Sequence, residues 1–329
     1  MKPEEVIAEL VLSPGGPCVL DKLHLPYDRA SAGPAAKFGL GCELFLPDVD
    51  RGVLREQALQ FQLDYQRMFP ERVNEFLPED ARRTVKIAGD LEARIRKEFA
   101  RHAAEEGYST SLFGAVDIGL PKDDVDAYQA NVLVKYNEYR ELSFISANMP
   151  VYNDKGELNF KVLLQAVLRW CEIFRPSHGT AGFALNFASG MSQNTKYALP
   201  IMKRFPGFDF VDGIDFSAQA GTTQNRIKCV NWLTILNTEI VDELGGIESV
   251  CAELEPACKI HEYDGGAVIQ AGEAPQLGDT FRNDIPEVYR MVARCTKPVR
   301  FEAYRSRLFR VPENLDKKEE TLAWIRRFD

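Results

Sequence analysis

The sequence contains no run approaching the ~20 uninterrupted apolar residues that a membrane-spanning helix needs, which excludes a helical membrane protein. It also lacks a basic excess: 40 Lys and Arg stand against 49 Asp and Glu, a formal charge of -9. Phosphate contacts usually need a basic footprint, so a general nucleic-acid binder is excluded. The seven cysteines (Cys18, Cys42, Cys171, Cys229, Cys251, Cys258 and Cys295) form no C-x-x-C pair, and their odd, scattered set reads as reduced thiols. The opening Met1-Lys2-Pro3-Glu4-Glu5 has no apolar stretch with a small-residue cleavage site behind it. A cytoplasmic protein is the expectation. Global disorder is excluded too, because 45% of the 329 residues are hydrophobic and they are spread along the chain.

Signatures of chemistry are missing as well. Gly39-Leu40-Gly41 starts a dinucleotide-like pattern, but Leu44 sits where the third glycine belongs, and a strand follows instead of a helix. There is no Walker A run, and Ala188-Ser189-Gly190-Met191-Ser192 lacks the flanking glycine of a nucleophile elbow. Nothing local joins any thiol to His24, His102, His178 or His261 as a nucleophile–base pair. Cys251, Cys258 and His261, with Cys229 as a fourth, lack the tight first pair of a zinc site and read as core thiols. Glu262, Asp264, Asp279 and Asp284 suit Mg²⁺ by type, but Asp264 is explained by a turn and Asp284 by a helix cap. No catalytic, cofactor-binding or metal-binding residue is assigned.

What is present is an α+β grammar. A proline- and glycine-rich N-terminal segment (1–36) reads as irregular. Leu40 to Leu46 reads as a strand, then a helix to Met68 capped by Asp48 or Asp50 and stopped by Pro70. A helix within 79–106 follows, then a strand at 112–118. Strands at 128–136 and 142–151 form a hairpin around Asn137-Glu138-Tyr139-Arg140. A strongly apolar helix spans 160–174 and a strand 180–188. The second half (191–329) repeats the order. It has a strand at 227–236, a helix capped by Thr238, a helix at 247–254, and a hairpin turning at Asp264-Gly265 in a type I′ turn. A capping box Asp284-Ile285-Pro286-Glu287 opens the next helix; a strand at 299–303 and a helix at 314–328 end the chain. Strand, helix, hairpin, helix, strand in both halves (37–190 and 191–329) predicts two ferredoxin-like βαββαβ half-units in one body, with mainly antiparallel sheets and helices on one face.

Charge is unevenly placed. Residues 241–284 carry ten acids against two bases, Lys259 and Arg282, a net of -8, whereas 285–329 carry eleven bases against seven acids. The acidic stretch reads either as a solvated face or as a docking surface for a cationic partner, whose encounter rate such a field would raise.

The series Ile227-Lys228-x-Val230-Asn231-Trp232-Leu233-Thr234, Tyr263-Asp264-Gly265-Gly266, Gln270-Ala271-Gly272-x-x-Pro275-Gln276-Leu277-Gly278-Asp279 and Ile285-Pro286-x-x-Tyr289-x-x-Val292, leading to Lys297-Pro298-Val299-Arg300, resembles the TsiV-like type VI secretion immunity family. Trp170 and Gly179-Thr180-Ala181-Gly182 fit the same pattern. The resemblance implies a cytoplasmic antitoxin that blocks a cognate secreted effector by direct binding and so protects the producing cell. It also implies that the partner is a nuclease of the VRR-Nuc type. Glu262, Asp264, Glu273, Asp279 and Asp284 are the expected partner interface, facing Lys or Arg groups of a basic nuclease surface. Two other readings stay open: an enzyme with a pocket between the halves, and a non-catalytic adaptor of the secretion apparatus.

Overall fold

The structure, a computed structural model, describes residues 2–12, 20–27, 34–79, 81, 83–101, 103, 106–114, 125–135, 141–187, 195–211, 213–221 and 223–329. Twelve strands form one sheet: β1 (His24–Pro26), β2 (Pro34–Phe45), β3 (Glu75–Leu77), β4 (Val85–Lys86), β5 (Tyr108–Gly114), β6 (Tyr128–Val134), β7 (Phe144–Met149), β8 (His178–Phe187), β9 (Asp209–Phe210), β10 (Leu233–Asn237), β11 (Cys258–Tyr263) and β12 (Gly266–Ala271). Their order is β11-β12-β10-β8-β2-β7-β6-β5-β3-β4, with β1 on β2 and β9 on β8. Every pairing is antiparallel except β8 with β9. The fold is α+β with a mostly antiparallel sheet. Both halves of the chain feed one sheet, joined where Leu233 to Leu236 of β10 pair with Ala181 to His178 of β8.

The helices are α1 (Pro3–Leu12), α2 (Arg51–Met68), α3 (Leu91–Phe99), α4 (Phe160–Phe174), α5 (Ala198–Arg204), α6 (Gly213–Ala220), α7 (Thr238–Glu243), α8 (Ile247–Leu254), α9 (Glu287–Thr296) and α10 (Lys317–Ile325). Asp50 caps α2 by accepting the Val53 N–H at 3.1 Å. In α4 the buried set Leu163, Ala166, Val167, Trp170, Cys171 and Phe174 keeps a 3.6-residue period, and the helix ends at left-handed Arg175 before Pro176. The two helices meet through the edge of Phe61 on Trp170 (centroids 5.0 Å apart), and Trp170 Nε1 donates to Asp64 at 2.9 Å. Burying such rings contributes roughly 1.5–3 kcal/mol each.

Helices cover both faces of the sheet, not one as expected. Phe183 of β8, paired with Leu40 of β2, meets Phe160 of α4 at 5.6 Å, whereas Phe45, on the opposite face of β2 by strand alternation, packs on Phe216 of α6 at 4.7 Å. That is why β2 and β8 are buried along almost their whole length and lack an inside–outside alternation.

Several local expectations change. The predicted 79–106 helix is only α3, capped by Asp90 at 2.9 Å, and Val85–Lys86 pairs as a strand. The strand predicted at 112–118 begins at Tyr108, and residues 115–124 lie outside the described set, as does the loop Asn137-Glu138-Tyr139-Arg140. The strand predicted from Ile227 starts only at Leu233. Before it, Asn231 turns its carboxamide onto the Trp232 N–H (2.7 Å), which breaks the extended run. Val299–Ala303 is no strand; a 3-10 turn holding Pro298 leads into a single bridge between Arg300 and Ile227. Asn237 caps α7 instead of Thr238, and α9 starts at Glu287, after Pro286, without a side-chain cap. The N-terminal segment read as irregular carries α1, β1 and the start of β2.

Candidate functional site

The five expected interface residues fall into two groups. Glu262 lies exposed on β11, the edge strand, and Asp264 is exposed at the apex of the β11–β12 hairpin. The hairpin is as expected, but positive φ falls on Gly265 (131°) and Gly266 (156°), so the turn is not type I′. Asp264 pairs with Arg175 of the α4 terminus.

Glu273, Asp279 and Asp284 belong to the loop between β12 and α9. Its base is tightly built. Trp232 Nε1 donates to Gly272 O (3.0 Å), and the Gln276 N–H donates to the Tyr289 hydroxyl (3.0 Å). The Gly207 N–H donates to Leu277 O (2.8 Å), and a Cβ on Gly207 would sit 1.8 Å from Gln276 O. Asp279 and Asp284 then close the tip with two reciprocal backbone hydrogen bonds of 2.6 and 3.0 Å. The Asp279 carboxylate faces inward. It accepts the Phe281 N–H (3.0 Å) and takes both Nε and Nη2 of Arg204 (3.1 and 3.2 Å). Asp284 is therefore exposed at a bridge and caps no helix, while Asp279 is a strut.

The tip carries Phe281, 79% exposed, with the Arg204 guanidinium 4.5 Å above its ring. Beside it runs a groove of about 400 Å³ whose walls include Leu158, Phe160, Phe205, Leu277, Asp279 and Asp284. Among the described residues, Glu262, Glu273 and Asp284 make no ion pair. Sequence reasoning placed the acids of this loop but missed Phe281. The available signal was an aromatic inside the polar string Asp279-Thr280-Phe281-Arg282-Asn283-Asp284, where no core position is due.

A second cluster lies inside the molecule. Lys228 Nζ meets Glu43 at 2.5 Å, Asp209 at 3.4 Å and Phe210 O at 2.9 Å, with all three side chains buried. Asp209 also accepts Thr180 Oγ1 (2.6 Å) and the Phe210 N–H (2.7 Å). Burial opposes its charge, but Lys228, Arg327 and these donors outweigh burial and hold its pKa below the ordinary value. Glu43 has fewer donors, so burial dominates and pushes it up to about 7. Lys228 stays charged, because the two carboxylates overcome its desolvation. His178, stacked on Phe45 at 4.7 Å, is pushed down to about 3 by burial and by Lys228. Cys229, 3.6 Å from Asp209, is pushed up to about 12, chiefly by burial. These groups are enclosed, so the arrangement pins the 227–231 segment to the sheet and offers no nucleophile to solvent. The hint was a charge in each apolar string, Glu43 in Leu40–Leu46 and Lys228 beside Ile227.

Among the described residues no three His, Cys, Asp or Glu side chains gather to hold a metal ion, and His261 instead meets Gln270 at 2.8 Å. No helix among them is long and apolar enough to cross a membrane.

Known proteins extend the picture. No curated protein matches the chain in sequence. In structure it is similar to the T6SS protein PA0821 of Pseudomonas aeruginosa, with a TM-score of 0.79 at 19% identity, over 100% of this chain and 92% of that one. The family model TsiV, described as type VI immunity for VRR-NUC, matches residues 60–328. That span takes in the end of α2, all of α4, Lys228 and Asp209 of the buried cluster and the whole β12–α9 loop, and by it the chain belongs to the TsiV family of type VI immunity proteins.

Proposed function

We propose that this protein is a cytoplasmic antitoxin that binds and blocks a type VI effector carrying a VRR-NUC nuclease domain. It would act as a stoichiometric inhibitor, protecting the cell that makes the effector. The observation that carries the reading is the family match over residues 60–328. Charge supports it: the chain is acidic overall, and exposed carboxylates at Glu262, Glu273 and Asp284 are left without internal partners among the described residues. A nuclease that grips a polyanion presents Lys and Arg, and carboxylates placed opposite them would compete with phosphate. An interface of roughly 1,600 Å² would suffice for a stable complex.

The test takes the product of the neighbouring gene as the candidate effector and co-expresses it with this chain. Growth should be restored by this chain, and the purified pair should elute together and show nuclease inhibition at one-to-one stoichiometry. Continued killing at equal expression, with no complex on a sizing column, would remove the proposal.

A further inference from the structure

Phe281 is set apart from the other exposed large apolar side chains described. It is 79% exposed, whereas Val49, Val53, Leu158, Ile214 and Leu315 lie between 36% and 49%. An aromatic left in water gains nothing for the fold, yet this one is held in place. The Asp279–Asp284 bridge closes its turn, Asp279 caps its N–H, and Thr280 Oγ1 donates to Lys203 O at 3.2 Å. Arg204 stacks on one ring face and is itself fixed by the two hydrogen bonds to Asp279. A side chain ordered before contact loses little entropy on contact, and rigid aromatics over well-packed surroundings are the residues that dominate binding energies.

The groove next to this knob is lined by apolar side chains such as Phe160, Phe205 and Leu277 together with Asp279, Arg282 and Asp284. Leu158, 46% exposed, stands at its wall. Arg282 leans toward Asp279 at 3.7 Å, whereas Asp284 and the nearby Glu273 make no ion pair among the described residues. The turn that carries the projecting ring thus also supplies Asp284 to the wall of the groove.

We propose that Phe281 is the central anchor by which this protein holds its effector, with an apolar effector side chain filling the groove beside it and Lys or Arg groups meeting Asp284 and Glu273. This rests on the immunity reading above and specifies its contact site. The partner it fits is a basic protein surface with a socket for an aromatic ring. The acidic β11–β12 hairpin takes a secondary part, since Asp264 is already paired with Arg175.

The experiment measures association and dissociation of a purified VRR-NUC effector domain that this chain neutralises in the co-expression test, using the full chain and three variants. F281A should raise Kd by about 30-fold or more, mainly through faster dissociation, with its urea transition unchanged. L158K should weaken binding similarly by placing a charge in the slot. V53A, at an exposed apolar site on α2, should bind as the wild type does. Wild-type binding with F281A within about twofold would overturn the anchor and leave the immunity reading standing. Absence of wild-type binding would overturn both.

Discussion

Glu43 offers a test of the buried ionic cluster that needs no partner. Its carboxyl is raised from an ordinary 4.5 to about 7 in the folded protein, chiefly by burial. A carboxyl that binds its proton more tightly when folded contributes stability that is complete below pH 4.5 and is lost as pH rises through 7. The gap of about 2.5 units corresponds to about 3 kcal/mol at 1.36 kcal/mol per unit. Glu43→Gln keeps the shape and removes the titration. The variant-minus-wild-type difference in unfolding free energy should therefore shift in favour of Gln by about 3 kcal/mol between pH 4.5 and 8. With a urea m-value near 3 kcal/mol/M, the two midpoints move relative to each other by about 1 M. Taking the difference at each pH cancels the other groups, including His178. Its depression to about 3 acts oppositely: that stability is present above pH 6.5 and is lost as pH falls toward 3. A difference curve that is flat, or that turns against Gln as pH rises, would show that the Lys228 ion pair outweighs burial at Glu43.

Further outcomes follow from the same packing. Lys228→Met should destabilise the protein by about 3–5 kcal/mol at pH 7.5 in urea titrations, because it strands Asp209 and Glu43 without a counter-charge. Trp170→Ala should cost about 3–5 kcal/mol by the same assay, since it opens a cavity against Phe61. Gly182→Ala should cost about 1–3 kcal/mol, because its Cβ would lie 2.4 Å from Asn231 Oδ1 in a closed layer. Arg204→Ala should weaken effector binding through faster dissociation even though Phe281 is retained, because the ring loses its stacked support.

The elements legible in the sequence were those whose signals are local. The α4 stripe from Leu163 to Phe174, the Asp50 cap and the two-residue hairpin loop at Asp264-Gly265 all depend on neighbours within a few positions. What escaped depends on distant partners. Lys228 and Glu43 are 185 positions apart, and only the folded sheet sets one against the other. The strand expected from Ile227 is shorter for a related reason: Ile227 finds only a single bridge partner, the distant Arg300, and Asn231 turns onto the Trp232 N–H before the ladder begins at Leu233. Asp284 was assigned to a cap by its spacing to Glu287, but the backbone bridge to Asp279 claimed it first. The acids of the 272–286 loop were visible as charges; that Asp279 turns inward to Arg204, 75 positions away, was not.

The residues that resemble the family pattern, Trp232, Gln276, Asp279 and Tyr289 among them, brace the base of the loop or close the turn under its tip, while Phe281 stands at the tip and leans only on Arg204 among the aromatic and cationic contacts described. Such a division frees the tip from the demands of folding. A different side chain at 281 or 284 would change the chemistry of the exposed tip while leaving the hydrophobic interior untouched, because both side chains face solvent and the turn beneath them is closed by backbone hydrogen bonds.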